Sequence, residues 1–439
     1  MTADHLIRPI SDRELPAFYA VIEHAFNAVH PTGPELQHYL AVLELDRTLA
    51  AFDGPDIVGT AAVLSFQLSV PGGSAAVAGV TAVSVLPSHR RRGILSGLMH
   101  RQLADIRDRG EAIAALFATE AGIYGRYGYG AATAELDLTI RRGEGVIAQD
   151  TAAPRPGRPG NAPRLRVAEP REVTAQLAAV YDSVWRARPG MPARDGRWWD
   201  HLLWDPEHRR SGSSPLRGLV AHDDAGPRGY ALFSARPDWN DHGIPAGVLQ
   251  VRELMATDPP AYAAIWKDLL SRDRVGEVRA RMRPPDDPLL FLLADRRRAR
   301  PQLSDGLWIR LVSVPGALTQ RRYACDVDVV IEVADERFGE NAGPWRLLAP
   351  GPASDGDRAG SADAAHPAAA GSARASCERT SAPADLIIGV EALGAAYLGG
   401  ARLGALAAAG LVTEVRPGML AALSAAVSWD PAPWCPAIF

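Results

Sequence analysis

From Val80 to Tyr129 the chain reads VTAVSVLPSHRRRGILSGLMHRQLADIRDRGEAIAALFATEAGIYGRYGY, and no other stretch limits the possible folds so tightly. An apolar strand runs into a Pro turn. A helix start marked by arginines and glycine follows, then a second apolar strand and a tyrosine-rich turn. This order places the unpaired N–H groups of a helix N-terminus beside the end of a strand, a natural seat for an anion such as a pyrophosphate.

At 439 residues the chain exceeds one compact core, and about three domains are expected at roughly 150 residues each. A net charge of only -4 argues against a general nucleic-acid footprint or a polybasic membrane surface. Small molecules or proteins are the expected partners. Cys325, Cys377 and Cys435 are widely separated and lack metal-ligand spacing, so no metal and a reducing, cytoplasmic setting are expected. The opening MTADHLIRPISDRELPAF lacks the order of a signal peptide. No apolar run is long enough to span a bilayer; the Ala/Leu/Gly-rich stretch 387–412 is broken by Glu391 and Arg402 and is read as a buried helical region.

Alternation and turn chemistry give the organisation. HLIRP (5–9) reads as a strand, and Ser11 with Glu14 makes a capping box for a helix running to about Phe26. Strands are expected at 48–52, 57–70 and 75–86, a helix at 91–108, a strand at 113–119, and Ala132–Ile140 as the strand closing a first α/β domain, 1–145. Residues 146–163 are rich in Pro, Gly and Ala and read as a linker. A second domain, 164–313, repeats the rhythm, but carries DPPA where the first has RRRGIL; it reads as a repeat with its phosphate loop erased. The third domain, 314–439, contains an insertion without large apolar residues, 351–384, expected to be disordered. Cys377 falls inside it, which argues against a structural disulfide.

The residues of the key stretch suit acyl transfer from a thioester. Arg91 through Ser96 would open the helix with free N–H groups toward a pyrophosphate, and Gly93 would let the backbone come close. The main chain of Val83–Val85 would supply a donor for the thioester oxygen, while the side chains serve the core. A basic triplet alone is usually a solvated turn, and GIYGRYGYG alone an ordinary one; their combination with the flanking strands selects the ligand reading. The final SWDPAPWCPAIF carries Trp429, Trp434, Ile438 and Phe439, more apolar surface than a solvated tail, and is expected to dock.

VSVLPSHRRRGIL, ATEAGIYGRYGYGAAT and the terminal phenylalanine together resemble the enhanced intracellular survival (Eis) family of GCN5-related N-acetyltransferases (GNAT), over essentially the whole chain. The resemblance implies an α/β (α+β) architecture of two tandem GNAT-like domains with mixed sheets, the first catalytic and the second degenerate. A C-terminal sterol-carrier-like α+β domain would follow, and the assembly would be a homohexamer. It implies acetyl-CoA contacts at Val83, Ser84 and Val85, at Arg91, Arg92, Gly93, Ile94, Leu95 and Ser96, and at Thr119 and Glu120. Tyr124 would be the general acid and the terminal carboxylate of Phe439 the general base. A phenol with an ordinary pKa of about 10 is protonated at neutral pH, whereas a terminal carboxylate starts at about 3.5 and needs burial to act as a base. Tyr127 and Tyr129 are expected to pack.

The acceptor implied is a primary amine on an aminoglycoside-like molecule, a polyamine-like molecule or a lysine. Ile438 and Ala82 stand where aminoglycoside-modifying relatives carry acidic and aromatic residues, which argues against a strongly polycationic acceptor. Glu23, His24 and Phe26 are candidates for the acceptor cleft, or else a helix face with one core aromatic. Trp198, Trp199 and Trp204 would form a cation cage or simply pack. Two other functions compete: an apolar-ligand carrier built on the third domain, and an acetyl-CoA-sensing oligomer without efficient turnover.

Overall fold

The computed structural model describes residues 5–27, 33–148, 162–352 and 374–439. The chain divides into two compact units: Met1–Thr133 with Gly306–Pro433 and Ile438–Phe439, and Ala134–Asp305 with Trp434–Ala437. The first unit begins with β1 (Leu6–Arg8), α1 (Leu15–Phe26) and α2 (Gly33–Leu40), followed by β2 (Thr48–Asp53), β3 (Asp56–Val70) and β4 (Gly73–Val85). Then come α3 (Ile94–Asp108), β5 (Ile113–Phe117), α4 (Ala121–Tyr124) and the short β6 (Gly130–Ala131). The capping box forms as its sequence demands: Glu14 accepts from the Ser11 amide at 2.9 Å. On α3 the residues Ile94, Leu98, Met99, Leu103 and Ile106 recur at helical spacing and are all buried. Each contributes about 2 kcal/mol of apolar burial.

The second unit holds β7 (Ala134–Arg141), β8 (Arg164–Ala168), α5 (Thr174–Val184), α6 (Gly196–Leu202), β9 (Arg217–Asp223) and β10 (Gly226–Arg236). It continues with β11 (Gly247–Ala256), α7 (Pro259–Ser271), β12 (Val275–Arg283), α8 (Leu289–Leu292) and β13 (Gln302–Asp305). Its sheet has the order β13-β7-β12-β11-β10-β9-β8. The strand expected to close the first domain is therefore a member of the second sheet: β7 pairs with β12 on one side and β13 on the other. Its alternating AELDLTIR pattern suits either sheet, and pairing with partners more than a hundred residues away decides the matter.

Glu135 of β7 has one carboxylate oxygen buried without a partner among the described residues. Burial, and then the neighbouring Asp137, push its carboxyl up to about 7. A carboxyl whose folded pKa exceeds its unfolded value stabilises the fold at low pH, and this contribution is lost as pH rises from about 4.5 through 7. Replacing Glu135 with Gln should therefore raise the melting temperature at pH 8, by the equivalent of about 1 kcal/mol after allowance for solvent screening. The advantage should vanish at pH 4; a variant with the same gain at both values contradicts the assignment.

The chain then returns to the first unit. Next come β14 (Leu307–Leu311), α9 (Val314–Thr319), β15 (Val327–Ala334), β16 (Gly343–Ala349), β17 (Ser376–Arg379) and β18 (Leu386–Gly389). α10 (Val390–Ala396), α11 (Leu403–Ala408), β19 (Val412–Glu414) and α12 (Met419–Val427) complete the elements. β14 inserts between β5 and β6, giving the first sheet the order β1-β2-β3-β4-β5-β14-β6. A further sheet runs β17-β16-β15-β18-β19. Stretch 387–412 is thus not wholly helical: it starts on a strand and ends on one. Cys377 is buried in β17, not in a disordered insertion, and all three cysteines are free. The central parts of the expected insertion and linker, 353–373 and 149–161, lie outside the described residues.

α10 lies almost on the backbone of β6 and β14. A Cβ at Gly130 would stand 2.0 Å from the Glu391 carbonyl oxygen and 2.6 Å from the Ala395 amide. Backbone cannot yield as a side chain would, so Gly130→Ala is expected to cost about 3 kcal/mol. Denaturant unfolding of the variant checks this; a loss below about 1 kcal/mol would show that α10 can shift.

Candidate active site

The first local departure from regular structure is in β4. Pairing with β3 joins Thr60 to Ser84 and then Ala62 to Thr81, so the register slips and Ala82 takes φ +52°. Such a bulge bends the strand and aims its backbone away from the regular ladder. Parallel pairing with β5 is confined to Ala78–Ala114 and Gly79–Ala115. Beyond Gly79 the two strands part, and among the described residues the β5-facing edge of β4 at Val83–Val85 has no strand partner. Val83 and Val85 are half-buried; Ser84 is buried, its hydroxyl 2.6 Å from that of Thr60, so its side chain is committed to the sheet.

The second departure is the start of α3. The helix begins at Ile94, three residues later than the sequence suggests, because Arg91 (φ +63°) and the N-cap Gly93 (φ +83°) are both left-handed. Arg91, Arg92, Gly93 and Ser96 are exposed, Leu95 is half-buried, and Ile94 is buried against Gly59. Among the described residues no side chain caps this N-terminus, and apart from its chain neighbours none lies within 4 Å of where a Gly93 Cβ would be. The first N–H groups of the helix thus have no capping side chain among the described residues, with the positive end of its dipole behind them. The corresponding helix of the second unit is closed: Asp258 caps α7 by accepting from Ala261 at 2.9 Å and pairs with Arg228. A carboxylate already occupies the place an anion would take.

The tyrosine turn follows β5. Thr119 and Glu120 are exposed, α4 carries Tyr124, and Gly128 (φ +81°) reverses the chain. Tyr124 retains 7% of its surface, Tyr127 2% and Tyr129 none, so Tyr124 is the best placed of the three to reach a ligand. Burial, then the nearby Glu120 and Tyr127, hold the Tyr124 phenol above its ordinary pKa. The Tyr127 hydroxyl lies 3.2 Å from Ser96 Oγ, tying the turn to α3. Behind the turn, Arg310 of β14 pairs with Asp335 at 2.6 Å, both fully buried, and packs against Gly128.

The Phe439 ring lies 4.7 Å from Phe66 and 5.6 Å from Phe117, and Gly79 leaves room for it, since a Cβ there would approach it to 2.9 Å. The Thr81 hydroxyl donates to the main-chain oxygen of Phe439 at 3.1 Å. Phe439 thus sits where β4 and β5 separate. Sequence reasoning missed Thr81, Phe66, Phe117 and Gly79. Their only signal is a small residue flanked by aromatics on neighbouring strands, which becomes legible once the register is known.

The other candidates do not converge. Glu23 is buried, His24 Nδ1 is engaged with the Ala20 carbonyl at 2.6 Å, and Phe26 is exposed. Trp199 is buried against Tyr181 and Tyr230, Trp198 packs on His201, and Trp204 carries the Arg209 guanidinium, so the three tryptophans serve separate contacts. Among the described residues no helix is long and apolar enough to cross a membrane, and no group of three His, Cys, Asp or Glu could hold a metal.

A splayed strand pair beside an uncapped helix N-terminus is the architecture of a GNAT acetyltransferase; one acetyltransferase (GNAT) domain family matches residues 6–132, and a second family of the same description matches residues 190–311. The sterol carrier protein domain family matches residues 314–436. An uncharacterized N-acetyltransferase of Streptomyces avermitilis is 40% identical over 439 residues, covering 99% of both chains. The N-acetyltransferase Eis of Mycobacterium tuberculosis is 34% identical over 387 residues, 86% of this chain and 84% of that one. The crystal structure of Eis1 from Mycobacterium abscessus superposes with a TM-score of 0.77 at 31% identity, covering 99% of this chain and all of that one. The chain belongs to the Eis family of N-acetyltransferases: two acetyltransferase domains and a sterol-carrier-like domain.

Proposed function

We propose that this enzyme transfers an acetyl group from acetyl-CoA to a primary amine by direct attack, in the cleft between β4 and β5. The observation that carries the reading is the uncapped, glycine-led N-terminus of α3 beside the unpaired edge of β4. The N–H groups of Ile94, Leu95 and Ser96, with Arg91 and Arg92 alongside, suit the pyrophosphate, and Thr119 and Glu120 suit the pantetheine arm beyond β5. The fit is supported by the free space at Gly93. In this reading the terminal carboxylate of Phe439 takes a proton from the acceptor amine, whose nitrogen then bonds to the thioester carbonyl carbon. The main chain at Val83–Val85 donates to the oxygen as it becomes negative. The C–S bond breaks, and the Tyr124 hydroxyl passes its proton to the departing thiolate.

The acceptor is a primary amine of an aminoglycoside-like or polyamine-like molecule, or of a lysine. The test is release of free thiol from acetyl-CoA against a panel of such amines. Release that requires an amine supports transfer. Coenzyme binding without any amine-dependent release would instead mark a sensor, and would refute the proposal.

A further inference from the structure

The sheet β17-β16-β15-β18-β19 and the helices packed on it bear the sterol-carrier signature, yet among the described residues the cavity between them is small. Ile331, Leu347, Leu393, Leu403 and Leu423 converge, with Arg321, on a residual cavity of about 10 Å³. That is room for one water at most, whereas sites for small organic ligands run from about 300 Å³ upward. The space is closed by a cation. Arg321 is 2% exposed, and its guanidinium donates through Nη1 to the Tyr397 carbonyl, through Nη2 to the Val427 carbonyl at 2.7 Å and through Nε to its neighbour's carbonyl at 3.1 Å.

The two distant carbonyls have a meaning in the fold. Tyr397 is the C-cap of α10 and Val427 the last residue of α12, so both are orphan acceptors at the negative ends of helices. One planar fork satisfies both and fixes the two helix ends to each other. Chain leaving α12 starts from this point and is bracketed at once. Ala324 donates to the Ala426 carbonyl at 2.8 Å, Arg322 donates to the Pro71 carbonyl at 2.8 Å, and Gly399 leaves space that Trp429 fills. Beyond this bracket Gly400 closes on Pro433, Trp434–Ala437 belong to the other unit, and the first unit holds the chain again where Thr81 meets Phe439.

We propose that this sterol-carrier-like domain takes no apolar ligand, and that Arg321 is a positioning residue that sets the course of the C-terminal segment toward the acetyl-transfer cleft. The second half rests on the reading of the Phe439 carboxylate as the base. The domain then serves as a mount for the chain end, its core filled by the group that holds the mount together.

The test uses the full chain, with Arg321→Lys and Arg321→Met. Fluorescence titration of the wild-type protein with cis-parinaric acid should show no saturable binding; stoichiometric binding overturns the first half. Arg321→Met should lower kcat at least about tenfold while leaving the Kd for acetyl-CoA within about twofold, because misplacement of the base costs rate and not coenzyme affinity. Arg321→Lys, which keeps the charge but loses the fork, should fall between. Wild-type kcat in Arg321→Met, or a parallel loss of kcat and coenzyme affinity, overturns the positioning role. Should Arg321→Met not fold, the same comparison on Arg321→Lys below its melting temperature decides. A wild-type protein whose turnover survives a C-terminal extension would instead refute the base, a separate failure.

Discussion

Extending the chain by a few residues beyond Phe439 is expected to lower turnover by about a hundredfold or more while acetyl-CoA still binds. The extension converts the terminal carboxylate to a neutral peptide group and forces additional chain into the space where β4 and β5 part. It leaves every residue of the proposed coenzyme grip, which begins at the start of α3 at Ile94, unchanged. Phe439→Ala separates the two contributions of the residue. It keeps a terminal carboxylate but loses the ring contacts to Phe66 and Phe117, so activity should fall less than in the extended chain. Steady-state thiol release together with coenzyme titration gives the result, and an extended protein with wild-type turnover would exclude a base at Phe439.

Tyr124→Phe should be nearly as damaging, lowering kcat by about a hundredfold with little change in coenzyme affinity. The phenol is buried and held above its ordinary pKa, first by burial and then by Glu120 and Tyr127. It therefore stays protonated at neutral pH, and any alkaline loss of kcat due to this group should set in at higher pH than for an ordinary tyrosine. Tyr127→Phe removes a single contact to Ser96 Oγ and should cost about 1 kcal/mol of stability, not turnover. Tyr129→Phe deletes a buried hydroxyl that has no partner among the described residues and should be neutral or stabilising. A loss of turnover confined to the Tyr127 or Tyr129 variants would move the acid role away from Tyr124.

Local rules carried much of this architecture. The Ser11–Glu14 capping box, the long β3–β4 hairpin and the amphipathic α3 each depend on residues a few positions apart, and each is legible in the sequence. The start of α3 was displaced by three residues because two successive departures into the left-handed region, at Arg91 and Gly93, delay the helix. What could not be read is non-local. β7 and β14 exchange between sheets, and the identity of a strand's neighbour is not written in its own alternation. The Phe439 seat has the same character: Thr81 and Phe439 meet across 358 positions, and Gly79 looks like any small strand residue until the ring above it is seen. Cys377 misled for a compositional reason, since a short strand on the edge of a sheet needs few large apolar residues of its own.

Calorimetric titration of acetyl-CoA into the wild-type protein and into Gly93→Asp tests the central claim most directly. The substitution puts a carboxylate at the N-cap, the position Asp258 holds in the second unit, but at φ +83° instead of −154°, so Gly93→Asn, with the same backbone demand and no charge, is the control and should keep most of the binding. The wild-type protein should bind one acetyl-CoA per chain, and Gly93→Asp should lose saturable binding although it still folds, because a carboxylate would occupy the helix dipole and repel the pyrophosphate. No heat with the wild-type protein, or equal affinity in the two, would contradict the account.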